Sequence, residues 1–177
     1  AMFIGDTRGV IEKVLASEVE IGVVGAGEKD EKLTFIRFVT DKLVLIAPAQ
    51  NEWFVSDVAT LEELKRAPFI VREGGSGTRT VMQKKLKEAG LSADDLKIAM
   101  TMGSTAAVKT AVESGAGVSI VSERAIKNEV KLGLIRMMDI EGLELKRDFL
   151  IVHRKQKVLS PAAEALLQFL GERENII

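Results

Sequence analysis

Short apolar runs alternate along the chain with amphipathic stretches of helical period, and the junction between them recurs as glycine, a small polar residue and threonine. It stands as Gly5-Asp6-Thr7 after Phe3-Ile4, as Gly75-Ser76-Gly77-Thr78 after Phe69-Ile70-Val71, and as Gly103-Ser104-Thr105 after Ile98-Ala99-Met100. Glycine lets the backbone turn sharply, and a Ser or Thr hydroxyl caps the helix that follows while free N–H groups point outward. Such a turn binds an anion without any charged side chain, through the unpaired donors and partial positive charge of a helix N-terminus. Taken singly, each turn could equally do no more than cap its own helix.

The same pattern predicts strands over residues 1–4, 21–24, 35–38, 43–47, 69–71, 96–101, 118–121 and 149–153. Helices are predicted over 7–17, from the Thr60-x-x-Glu63 capping box to the residue before Pro68, and over 78–89, 105–114, 122–131 and 161–170. Gly90 and Gly115 fall just past two of these helices, Ser122 is expected to cap one, and Ser160 is expected to cap another that Pro161 starts. Alternation on this scale implies an α/β fold with mainly parallel sheets.

Composition narrows the function. At 177 residues and 46% hydrophobic the chain can bury a core as one domain or two small lobes. Its 25 Lys and Arg nearly balance 26 Asp and Glu, so no global positive field draws it to nucleic acid or an anionic membrane. The absence of cysteine excludes disulfides, thiolate catalysis and cysteine-ligated zinc, and one histidine excludes a multi-histidine metal site; no metal and no cofactor are expected. Without a signal-peptide pattern or a spanning apolar run, a cytoplasmic location is the default.

Catalytic chemistry finds little support. Gly22 to Gly27 follows an apolar strand as a dinucleotide-binding loop would, but Asp30 replaces the third glycine and Glu28, Lys29 and Glu31 crowd the place of a pyrophosphate. Gly75 to Arg79 lacks the Gly-Lys-Ser/Thr ending of a triphosphate-binding loop. His153 sits in an apolar strand beside Arg154 and Lys155, and Ser76 and Ser104 have no identifiable base to activate them. Arg79 could pair with a bound carboxylate or clamp its own loop. The residues favour a binding protein over an enzyme.

From Phe69 onward the sequence resembles the effector-binding domain of LysR-type transcriptional regulators. The resemblance rests on Phe69-Ile70-Val71-Arg72-Glu73-Gly74-Gly75-Ser76-Gly77-Thr78-Arg79, Gly103-Ser104-Thr105-Ala106-Ala107-Val108-Lys109, residues 115–122 and Leu159-Ser160-Pro161-Ala162-Ala163. The segment from Gly5 to Val24 looks like that family's second strand–helix–strand. The resemblance implies a periplasmic-binding-protein-like pair of α/β lobes joined by two crossover strands. Lobe I would take residues 1–47 and 121–177 and lobe II residues 48–120, with hinge residues Leu45, Ile46, Ile120 and Val121. It implies an effector, a small anion, in the interlobe crevice, contacted by Thr7 from lobe I and by Ser76, Gly77, Thr78, Ser104 and Thr105 from lobe II. Asp6 carries the wrong charge for an anion contact unless it is turned away as a helix cap.

Family members also carry an N-terminal winged helix-turn-helix, absent from this chain, and a first strand–helix unit of lobe I that is likewise missing. The expectation is therefore the sensing fragment of a longer regulator that pairs as a homodimer or homotetramer and reaches DNA only through that N-terminal domain. A transporter's solute-binding protein of the same architecture is the alternative, and a ligase or dehydratase on a similar two-lobe fold a third.

Overall fold

The computed structural model describes residues 2–27 and 30–172, so Ala1, Glu28 and Lys29 of the sequence expectations lie outside the described residues. These residues pack as two units. The first runs to Thr40, takes in Gly75–Gly77 and resumes at Arg147, and the second comprises Asp41–Gly74 and Thr78–Lys146.

In the first unit, α1 (Thr7–Leu15) precedes β1 (Ile21–Val24), which pairs antiparallel with β8 (Leu145–Arg154) from Ile21 opposite His153 to Val24 opposite Leu150. Asp6 caps α1, its Oδ1 accepting from Gly9 N at 2.7 Å. The helix lays Val10 and Val14 on the strands, where Val14, Val24, Leu33 and Val152 form a small core. The last helix, α6 (Pro161–Glu172), starts as expected, with Ser160 Oγ accepting from Ala163 N at 3.3 Å and donating to Glu20 Oε2 at 2.6 Å.

The second unit is built on the C-terminal part of β2 (Leu33–Pro48), which pairs antiparallel with β6 (Ser119–Ser122) and with β7 (Ile135–Ile140). The short β3 (Val58–Ala59) joins β7 in parallel, and β4 (Phe69–Arg72) pairs in parallel with β5 (Ile98–Met102). Helix α2 (Leu61–Arg66) carries the expected capping box, in which Glu63 N donates to Thr60 Oγ1 and Thr60 N to Glu63 Oε2. Helices α3 (Gly77–Glu88), α4 (Thr105–Glu113) and α5 (Lys127–Lys131) complete the order. Two apolar clusters form the core, one around Leu43, Leu45, Leu64, Phe69 and Leu86, the other around Ile46, Ile70, Val108 and Val121.

Several expectations are corrected. Residues 2–4 form no strand. The strands expected at 35–38 and 43–47 are one continuous β2, because the polar Thr40, Asp41 and Lys42 that interrupt the apolar pattern stay extended in it. The helix expected over 122–131 is a 3-10 turn, Glu123–Ala125, followed by α5, and Ser122 makes no cap: its Oγ donates instead to Asp41 Oδ1 at 2.7 Å. Sheet pairing is parallel at β3–β7 and β4–β5 but antiparallel at β1–β8, β2–β6 and β2–β7. The unit boundaries also differ from the expected ones. Leu45 pairs with both Ile120 and Met138, so Leu45, Ile46, Ile120 and Val121 lie buried within the sheet of the second unit. Residues 121–146, expected with lobe I, pack in that unit too, and β2 and β8 change unit at Thr40–Asp41 and Lys146–Arg147.

Candidate functional site

Two of the three recurring turns meet within the first unit. A Cβ added to Gly77 would lie 2.9 Å from Thr7 Oγ1, 2.9 Å from the carbonyl carbon of Gly25 and 3.1 Å from Ala26 N. One added to Gly75 would overlap the carboxylate of Asp6, whose Cγ would be 2.8 Å away. The glycines of this turn are thus required for close approach: backbone passes where any side chain would collide with Thr7, Asp6 or the turn after β1. Ser76 and Thr78, on either side of Gly77, are only 3% and 7% exposed. Sequence reasoning rejected Gly25-Ala26-Gly27 as a dinucleotide loop and gave it no other role; the structure sets it against Gly77.

In the second unit the remaining candidates gather at the end of β4. Ser104 caps α4, its Oγ accepting from Ala107 N at 3.1 Å, so it performs the capping role that the pattern left open. Thr105 is engaged differently: Arg72 Nη1 donates to its Oγ1 at 2.8 Å. Arg72 also grips Glu73 through Nε and Nη2 at 2.8 and 2.6 Å, a pair whose side chains are 14% and 28% exposed. The Arg72 hydrogen bonds hold the Glu73 carboxyl below its ordinary pKa against the opposing effect of burial. Arg79, left open between ligand and clamp, donates from Nη1 to the Arg72 carbonyl at 2.9 Å and so ties α3 back to β4. Neither Arg72 nor Glu73 stood out in the sequence, because a neighbouring Arg-Glu pair carries no pattern of its own.

His153 lies in β8 with Nδ1 3.1 Å from the carbonyl of Arg154, and no group of three or more His, Cys, Asp or Glu that could hold a metal ion occurs among the described residues. Two open cavities of the second unit, of about 280 and 400 Å³, are lined in part by Lys42 and Asp139 and by Asn51 and Trp53. No residue of the three turns lines either one. No helix among the described residues is long and apolar enough to cross a membrane.

The family model of the LysR substrate binding domain matches residues 1–175, and the chain belongs to that family. It is 31% identical over 174 residues to the HTH-type transcriptional regulator CbbR of Xanthobacter flavus, spanning 98% of this chain and 51% of that protein. It is 34% identical over 168 residues, 95% of this chain, to a protein of Anaeromyxobacter dehalogenans named phosphonates import ATP-binding protein PhnC, of which it covers 34%. The chain thus spans about half or less of these curated relatives. Among solved structures, the CcmR regulatory domain of Synechocystis PCC6803 in complex with 2-PG aligns with a TM-score of 0.85 at 22% identity, over 97% of this chain and 81% of that one. The effector binding domain of QuiR in complex with shikimate aligns with a TM-score of 0.87 at 17% identity, over 98% and 80%. These likenesses establish the periplasmic-binding-protein-like α/β fold of LysR regulatory domains, and the family is one of transcriptional regulators rather than enzymes.

Proposed function

We propose that this chain is the effector-sensing part of a LysR-type transcriptional regulator and binds a small anionic metabolite without converting it. The observation that carries the reading is the meeting of Thr7 with the Gly75-Ser76-Gly77 turn, two loops 70 residues apart in the sequence. In the first unit the groups offered to an anion are the hydroxyls of Thr7 and Ser76 and the amide of Gly77, and in the second unit the hydroxyls of Thr78 and Thr105, with Ser104 serving as the cap of α4. Small ligands in the CcmR and QuiR complexes support this use of the fold.

In this reading the protein is a cytoplasmic homodimer or homotetramer, and DNA is bound through an N-terminal domain outside the chain. Binding favours one arrangement of the regulator, and it shifts that equilibrium only by the difference in affinity between states. The chain changes unit at Thr40–Asp41 in β2 and at Lys146–Arg147 in β8. A transport role draws support from the name of the Anaeromyxobacter relative alone, of which the chain covers 34%.

A thermal-shift screen of carboxylates, phosphates and sulfate tests the proposal. A site-specific anion at about 100 times its Kd stabilises by ~2.7 kcal/mol and is recovered chemically unchanged. Absence of a shift with every anion, or conversion of the one that binds, contradicts it.

A further inference from the structure

The larger cavity of the second unit, about 400 Å³ and lined by Pro48, Gln50, Asn51, Glu52, Trp53 and Gly115, has no part in the proposed effector site. Ligand pockets span roughly 300–1,000 Å³, so it admits a small molecule. Trp53 is the only tryptophan of the chain. It is half-buried, packs on the core cluster around Leu43 and Leu86, and lines the cavity. The loop that carries it is set by Asn51, whose Oδ1 accepts from Phe54 N at 3.0 Å. Asn51 Nδ2 is closed off from solvent, so this amide shapes the loop and is not offered to a ligand.

Negative charge gathers around this indole without a cation to offset it. Glu52 is exposed beside Trp53 and has neither a hydrogen bond nor an ion pair among the described residues. Gly115, which has only backbone to present to the cavity, stands just past the C-terminus of α4, whose C-cap is Ser114. A Cβ added at Gly115 would meet nothing within 4 Å, so the space over this helix end is open. A helix C-terminus carries roughly half a unit of negative charge and favours a cation near its last turn. Helix α4 has no basic residue in that turn and ends instead on Glu113. Among the described residues, no lysine or arginine lines the cavity. The face of an indole is itself negative, and of the aromatic side chains it attracts cations best.

We propose that this cavity is a second binding site, for an organic cation: a methylated ammonium or a guanidinium rests against the Trp53 indole, pairs with the Glu52 carboxylate and faces the carbonyl end of α4. Methyl groups or a guanidinium plane give the indole a surface to pack on, and the charge answers Glu52 and the helix end. A bare metal ion does not suit the site, because a hard cation takes six or so oxygen ligands and no group of three or more His, Cys, Asp or Glu gathers here or elsewhere among the described residues. A neutral molecule of the same shape leaves Glu52 and the helix end uncompensated. The site shares no residue with the three turns, and its recognition does not require an anion there.

Because the chain has one tryptophan and no tyrosine, its intrinsic fluorescence reports on position 53. Titration of the chain with choline, with N-acetylarginine amide and with neohexanol, the uncharged carbon isostere of choline, tests the proposal, with sodium chloride holding ionic strength constant. At least one of the two cations should give a saturable change in emission, and neohexanol should bind at least tenfold more weakly than that cation. Saturation by choline points to a free quaternary amine, and saturation by the arginine amide to the guanidinium of a polypeptide. Glu52→Gln should weaken the cation at least threefold and leave a urea melt unchanged, since Glu52 supports nothing else in the fold. Equal binding of neohexanol, unchanged affinity in Glu52→Gln, or no saturable change with either cation overturns the proposal.

Discussion

Arg72 donates to the hydroxyl of Thr105 at 2.8 Å, so this threonine enters the candidate site as an acceptor already filled from one side. Its own proton remains to be given to another acceptor, and the direction of that donation is set by the arginine. Ser104 next to it is occupied with Ala107 N and serves the helix. The two residues of the third turn thus divide the roles that the sequence could not separate.

Removing Arg72 tests this arrangement. Arg72→Met leaves the half-buried Glu73 without its partner and Thr105 without its donor, and is expected to cost ~1–3 kcal/mol in urea melts. Thr105→Val should cost less, since Arg72 keeps Glu73, but it should weaken effector binding.

Acid should reveal the same pair. The folded-state pKa of Glu73 is depressed, chiefly by its hydrogen bonds from Arg72, so its stabilisation is complete above the unfolded carboxylate value of ~4.3 and is lost as pH falls through the lower folded value. Glu63, held down by Thr60, and Glu129, held down by Lys109, act in the same direction. Urea melts from pH 7 to pH 3 should therefore show stability falling below about pH 4.3. The fall should be shallower in Glu73→Gln, and an identical acid limb in the two proteins would contradict the role given to Arg72.

Gly77→Ala should be damaging where Gly74→Ala is not. The first sets a Cβ 2.9 Å from the carbonyl carbon of Gly25 and 2.9 Å from Thr7 Oγ1, and backbone cannot yield as a side-chain end does. Overpacking of this kind costs ~1–3 kcal/mol. A Cβ at Gly74 meets nothing within 4 Å, and its effect should stay within about 0.5 kcal/mol. Comparable melts for the two variants would mean that the turn is not held against Thr7.

What was legible in the sequence was local. The Thr60–Glu63 capping box, Ser160 before Pro161, and glycines at positive φ after α3 and α4 are decided within a few residues, and each is where the pattern put it. Strand β7 was missed although Ile135, Met138 and Ile140 are buried and Gly133 and Gly142 turn at positive φ on either side, because Arg136 and Asp139 interrupt the apolar run. The continuity of β2 was hidden by Asp41, a fully buried acid that accepts from Ser122 and lies 3.9 Å from Arg124 Nε. The candidate turns were legible because each repeats a small motif, and so was the family resemblance built on them. Their supports were not. Thr7 against Gly77 is a contact across more than 60 residues of chain, and nothing in either segment announces the other.

The central claim is that the hydroxyls of the turns hold an anion rather than merely shape the helices. Titration calorimetry of Thr78→Val with the anion that gives the largest thermal shift, alongside a urea melt of the same variant, tests it most directly. Loss of a charge-assisted hydrogen bond worth ~1.5–3 kcal/mol predicts affinity roughly 10- to 150-fold weaker than that of the unmodified protein. The expected loss of folding stability is smaller, about 1 kcal/mol. Unchanged affinity together with an early melt would show Thr78 to be structural and the site assignment wrong.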